Sequence, residues 1–163
     1  LAFIEEEPRL LRPANYPEGA PGRGEGVFVS PSGPKVAVLN LSGRVIMAAL
    51  DCPFRHALRR VEALRRETPI LIVDFHAEAT SEKIAMGRML DGRVTAVLGT
   101  HTHVQTADER LLPGGTAYIT DVGMTGPKES VIGTDPEIVI GRFLSQMPAR
   151  FEMAEGDIRL NAV

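Results

Sequence analysis

Apolar residues in this chain cluster in short runs separated by stretches of helical spacing, and that alternation predicts a layered α/β domain. Residues 35–41, 70–75, 94–98 and 116–120 read as strands. The first is almost continuously apolar, which predicts burial on both faces. Behind Pro53, Phe54, Ala57, Leu58, Val61 and Leu64 recur every three to four positions, while Arg55, Arg59, Arg60, Arg65 and Arg66 occupy the opposite side. This is an amphipathic helix that Pro69 ends. A second helix, over about 81–91, is expected to pack through Ile84, Ala85, Met89 and Leu90 and to stop near Gly92.

The flanks are less regular. Leu1 to Glu7 reads as the end of a helix. Residues 8–26 hold Pro8, Pro13, Pro17 and Pro21 among Gly19, Gly22, Gly24 and Gly26, the composition of an irregular surface loop. Val27 to Ser30 predicts a strand, with Ser32-Gly33 as its hairpin turn. Residues 43–51 carry no decisive pattern. Leu111 to Gly115 forms a turn, 121–135 a Gly- and Thr-rich loop, and 137–146 a short helix or strand. Alternating Ile158, Leu160 and Ala162 predict a last antiparallel strand.

Composition narrows the function classes. A length of 163 residues fits one domain, and a net charge of −3 without any basic block argues against a nucleic-acid polymer as partner. Sparse aromatics and no Trp argue against a base-stacking surface. No apolar run is long enough to suggest a membrane span. Cys52 is the lone cysteine, so no internal disulfide can form, and a cytoplasmic location is the expectation.

The chemistry gathers where strands end. His76 closes the run 70–75, and His101 and His103 follow the run 94–98. Strand-like alternation through Gly99-Thr100-His101-Thr102-His103 would put both imidazoles on one side and the threonines opposite. Three strand-end histidines outline a site for transition-metal ions. Asp74, two residues before His76, is either an orienting carboxylate or a side chain satisfied by backbone donors. Glu78 and Glu82 follow closely, and Lys83 offers an anion contact. Asp121 either caps its loop or supports the site. His56 reads as an ordinary helix histidine and Cys52 as structural. No Gly-Lys-Ser/Thr phosphate loop is present.

The segments Val73-Asp74-Phe75-His76-Ala77-Glu78-Ala79-Thr80-Ser81-Glu82-Lys83 and Val97-Leu98-Gly99-Thr100-His101-Thr102-His103-Val104 resemble the calcineurin-like metallophosphoesterases. More narrowly, they resemble the bacterial branch assigned as 2′,3′-cyclic-nucleotide 2′-phosphodiesterases. Arg12-Pro13-Ala14-Asn15-Tyr16-Pro17 and Thr120-Asp121-Val122-Gly123-Met124-Thr125-Gly126 match the same branch. The resemblance implies two packed mixed β-sheets flanked by helices, with two divalent or transition metal ions (Mn or Fe, with Zn also suitable) at the strand ends. His76 and His101 would bind one ion and His103 the other. Asp74, Glu78, Asn15 and Asp121 would orient ligands or meet substrate. A metal-bridging hydroxide would attack the phosphorus of a small phosphoester or cyclic nucleotide.

Members of that family also carry a Gly-Asp segment, a Glu-Asn segment and a Gly-Asn-His segment ahead of the proline loop, and none occurs in residues 1–163. The chain thus resembles the C-terminal portion of such an enzyme, a single incomplete domain with the sheet's first strands and the family's catalytic histidine missing. It is expected to be inactive alone, and its open sheet edge favours homo-oligomers. The alternative is a non-catalytic metal-binding or assembly module. An amidohydrolase-type barrel also uses His-x-His, but it needs a long series of β/α units after the pair, more than the 60 residues that follow His103.

Overall fold

The four apolar runs form the parallel core of one sheet in a computed structural model that describes residues 2–29, 31 and 33–161. In chain order the elements are α1 (Ala2–Glu6), β1 (Glu25–Val29), β2 (Lys35–Ser42), α2 (Pro53–Arg65), β3 (Leu71–His76) and α3 (Thr80–Leu90). There follow β4 (Ala96–Thr100), β5 (Arg110–Leu111), β6 (Ala117–Ile119), β7 (Gly126–Pro127), α4 (Pro136–Ser145) and β8 (Ile158–Arg159). The large sheet runs β1-β2-β3-β4-β6-β5. Strands β2, β3, β4 and β6 are mutually parallel, and β1 and β5 close the two edges antiparallel.

Burial alternates along these strands. Ala37, Leu39 and Leu41, then Leu71, Val73 and Phe75, face one side and are fully buried. They meet Ala57, Val61 and Leu64 of α2 and Met86 and Leu90 of α3 in a single apolar cluster. The Phe54 and Phe75 rings meet edge to face, with centroids 6.3 Å apart, a favoured aromatic geometry. On the other face Val36, Val38, Ile72, Ala96 and Leu98 are only half-buried. Burial of β2 on both faces therefore does not hold, because both covering helices lie on one side.

Other expectations shift as well. The described residues form one six-stranded sheet and a two-stranded ribbon of β7 and β8, rather than two large packed sheets. Pairing with β3 begins at Ile72↔Ala96, so β4 starts and ends later than the apolar run. The segment read as a short helix or strand at 137–146 is the helix α4, with Asp135 capping the Ile138 N–H at 3.2 Å. The last strand is two residues long, and Ile158 and Leu160 are both exposed. Leu1, Ser30, Ser32 and Ala162 lie outside the described residues, and with them the helix-end reading at Leu1, the strand end at Ser30, half of the Ser32-Gly33 turn and the last alternating position. α3 turns Glu82, Lys83, Met86, Gly87 and Leu90 inward, while Ile84 and Ala85 are exposed. At Gly87 a Cβ would lie 2.5 Å from the Tyr118 ring, so the helix seats this ring where a side chain would stand.

Candidate functional site

The site sits at the C-terminal ends of adjacent parallel strands, the position where open α/β sheets bind ligands. His76 is the last residue of β3 and pairs in register with Thr100, the last of β4. Because Leu71, Val73 and Phe75 face the helices, strand alternation sends Asp74 and His76 to the opposite face. Beyond Thr100 the extended backbone stops. His101 has φ +100° and His103 φ +66°, a region that non-glycine residues seldom occupy. The expected alternation through the His-x-His segment is therefore broken, and its two imidazoles go different ways.

His101 turns toward His76. Its Nδ1 lies 2.9 Å from His76 Nε2, with ring centroids 4.5 Å apart and planes at 73°. On the far side of its ring, His101 Nε2 lies 3.2 Å from a Glu78 carboxylate oxygen. A carboxylate there holds the proton on Nε2 and leaves the Nδ1 lone pair facing His76. Burial, followed by the neighbouring His101, pushes His76 below the usual histidine range, so its imidazole is the neutral form that binds metals. His103 Nδ1 lies 3.0 Å from the Ile132 carbonyl oxygen, which fixes the proton on Nδ1 and the lone pair on Nε2.

The remaining candidates divide by what they touch. Asp74 accepts from the Thr100 hydroxyl at 2.9 Å and from Asn40 Nδ2 at 2.6 Å, linking β2, β3 and β4 one layer below His76. Asn40 Oδ1 in that trio is buried without a hydrogen-bond partner. Asp121 accepts from Lys83, Thr102 and Gly123. Burial alone would raise its carboxyl, but the Thr102 and Lys83 hydrogen bonds outweigh that and hold it below the usual range. Asn15 is fully buried and committed to the backbone of Ser42 and Asp51. Lys83, read as an anion contact, is instead buried against Asp121.

Sequence reasoning missed Asn40, Thr100 and Thr102. For Asn40 a signal existed, since it is the one polar interruption between Val36 and Leu41. His76, Asn40, Tyr16 and Met47 line a cavity of about 290 Å³. His103 lines another of about 520 Å³ with Met124, Ile132, Phe151 and Met153.

Two nitrogens bound about 2.1 Å from one ion stand roughly 3.4 Å apart at the tetrahedral angle and roughly 3.0 Å apart at the right angles of a six-coordinate ion. The 2.9 Å separation of His76 Nε2 and His101 Nδ1 fits that geometry. Among the described residues, however, no group of three or more His, Cys, Asp and Glu side chains is arranged to hold an ion alone. The donors fit part of a coordination shell.

A family model described as YmdB-like protein matches residues 1–163. The chain belongs to the YmdB-like family. It is 53% identical over 161 residues to the 2′,3′-cyclic-nucleotide 2′-phosphodiesterase of Bacillus subtilis, covering 99% of this chain and 61% of that protein. The crystal structure of a hypothetical protein from Thermus thermophilus superposes with a TM-score of 0.87 at 45% identity, over 94% of this chain and 60% of that one. The crystal structure of a novel phosphatase from Mycoplasma pneumoniae gives a TM-score of 0.83 at 40% identity, over 95% of this chain and 57% of that one. The chain spans about three-fifths of the length of the relatives it matches. A phosphodiesterase and a phosphatase are thus among them, and the mixed α/β fold is shared. Among the described residues no helix is long and apolar enough to cross a membrane.

Proposed function

We propose that this chain forms the histidine-bearing part of a dinuclear metal-dependent phosphoesterase acting on a cyclic nucleotide or similar small phosphoester. The observation that carries the reading is the convergence of His76 Nε2 and His101 Nδ1 at 2.9 Å, with Glu78 on the far nitrogen of His101. His76 and His101 would hold one ion and His103 the other; Mn or Fe suits this set, and Zn does too. When bound, such ions supply Lewis-acid chemistry at a phosphoryl centre. The chain's own residues set the terms for binding. Glu78 fixes the His101 tautomer, Ile132 fixes that of His103, and burial keeps His76 neutral.

The half-exposed sheet face carrying Val38, Ile72 and Leu98 would pack against a second sheet, giving the two-sheet architecture of the calcineurin-like enzymes. Three histidines are too few for two ions, so the 163-residue chain alone should turn over little substrate. The test assays it with Mn on 2′,3′-cyclic AMP and bis-p-nitrophenyl phosphate, beside a full-length relative carrying the same segment. Near-background rates for the chain, and loss of activity in the relative's counterpart of His101→Ala, are expected. Robust turnover by the chain alone would overturn the claim that its site is partial. Full activity in the relative without either paired histidine would overturn the site itself.

A further inference from the structure

Helix α3 turns two charged side chains inward within its first turn. Glu82 is 6% exposed and Lys83 only 1%. An ammonium group is buried at high cost unless it is paired and hydrogen-bonded, so the partners of Lys83 show what holds it there. Its Nζ donates to Asp121 Oδ2 at 2.9 Å and to the Thr102 hydroxyl at 3.2 Å. The same Asp121 oxygen accepts from the Thr102 N–H at 3.0 Å and from the Thr102 hydroxyl at 2.6 Å. The other Asp121 oxygen accepts from the Gly123 N–H at 2.8 Å. Thr102 is the residue between His101 and His103.

The path of the lysine is built as well. Its stem passes Gly99, where a Cβ would stand 3.0 Å from Lys83 Cδ and 1.7 Å from the Thr120 carbonyl oxygen. The histidines on either side of Thr102 both have left-handed backbone, which persists only where the surroundings over-determine it. Asp121 grips both the amide and the hydroxyl of the intervening residue, and Lys83 closes the same group from α3.

We propose that the buried Lys83–Asp121 pair is a positioning device for the histidine loop. Their hydrogen bonds go to Thr102 and Gly123 rather than to an imidazole, and through Thr102 they hold His101 within reach of His76. The importance of that placement rests on reading the two histidines as ligands, but the placement can be tested without metal.

Two variants of the 163-residue chain separate positioning from simple support. Lys83→Met/Asp121→Asn removes both charges together, so no buried ion is stranded. Thr102→Val keeps the ion pair and removes the hydroxyl link. Long-range ¹H–¹⁵N imidazole spectra are recorded at about pH 8, above the ordinary imidazole range, with His56 of α2 as internal reference and circular dichroism as fold control. In the parent chain His101 should show a single tautomer. In both variants the His101 and His76 signals should move toward the averaged tautomer pattern, with a smaller shift for Thr102→Val, while His56 stays in place. Unmoved His76 and His101 signals in Thr102→Val, or in a folded double variant, overturn the proposal, even if the unfolding midpoint falls. If the double variant does not fold, Thr102→Val decides. Titrating the parent chain with Zn or Mn is scored separately: unmoved imidazole signals there would refute the ligand reading and leave the positioning test intact.

Discussion

Replacing Asn15 with alanine separates a backbone pin from a substrate contact. The side chain is fully buried and makes three hydrogen bonds, all near 2.9 Å. Its Nδ2 donates to the Ser42 and Asp51 carbonyls, and its Oδ1 accepts from the Ser42 N–H. These bonds tie the proline loop to the end of β2 and to the turn that enters α2. A hydrogen bond contributes about 1 kcal/mol net, and a buried group left unsatisfied costs about 1–3 kcal/mol. Ser42 is itself buried, so its stranded N–H gains little from solvent. Asn15→Ala should therefore destabilise the chain by about 3–5 kcal/mol, a large part of the ~5–15 kcal/mol of a typical domain. In a chain of this size that lowers Tm by roughly 6–20 °C. Urea unfolding followed by circular dichroism measures it. Asn15→Asp, which aims a carboxylate at two carbonyl oxygens, should do at least as much damage. A loss below about 1 kcal/mol for Asn15→Ala would refute the pinning argument and return Asn15 to the list of substrate-contact candidates.

Two further perturbations test hydrogen-bonded side chains at either end of the sheet's parallel strands. Asp108 accepts from Thr106 and from the hydroxyl and N–H of Thr120; burial opposes its ionisation, but these bonds outweigh it and hold its carboxyl below the usual range. A folded-state value below the unfolded one gives stability that is present above about pH 4 and lost as pH falls through the folded value. The urea midpoint should thus drop across that window in the parent chain and drop less in Asp108→Asn; identical pH profiles would remove Asp108 from the account. Thr116, fully buried, donates to the Val94 carbonyl at 2.7 Å and accepts from the Gly92 N–H at 2.9 Å. Thr116→Val keeps the shape and strands both groups, so about 2–3 kcal/mol should be lost in chemical denaturation; an unchanged midpoint would show that water replaces these bonds.

The sheet was readable because its evidence is local. Each parallel strand is an apolar run, and α2 carries a continuous stripe behind Pro53. Helix α3 was misread because its inward face is not apolar. Glu82 holds the Arg44 and Val45 N–H groups, Lys83 reaches Asp121, and Gly87 makes room for Tyr118. Each of these partners lies 31 or more residues away in sequence. A pattern that scores polarity residue by residue assigns such a face to solvent. Asn15 shows the converse: a match to a family segment marked it, while its contacts are to backbone.

The histidine loop shows why the site itself resisted a periodic reading. A period of two from Gly99 onward would have kept His101 and His103 on one side, as neighbours in a single cluster. Two positive-φ residues flanking Thr102 break that period, and each costs about 1–3 kcal/mol relative to relaxed backbone. The strain is offset by the hydrogen bonds on Asp121 and by the contact of each imidazole, His101 with His76 and Glu78, His103 with Ile132. The outcome is that the two imidazoles diverge on either side of Thr102, one toward His76 and Glu78 and the other toward Ile132. An extended strand would have kept both side chains on one face, whereas this loop sends them to separate contacts.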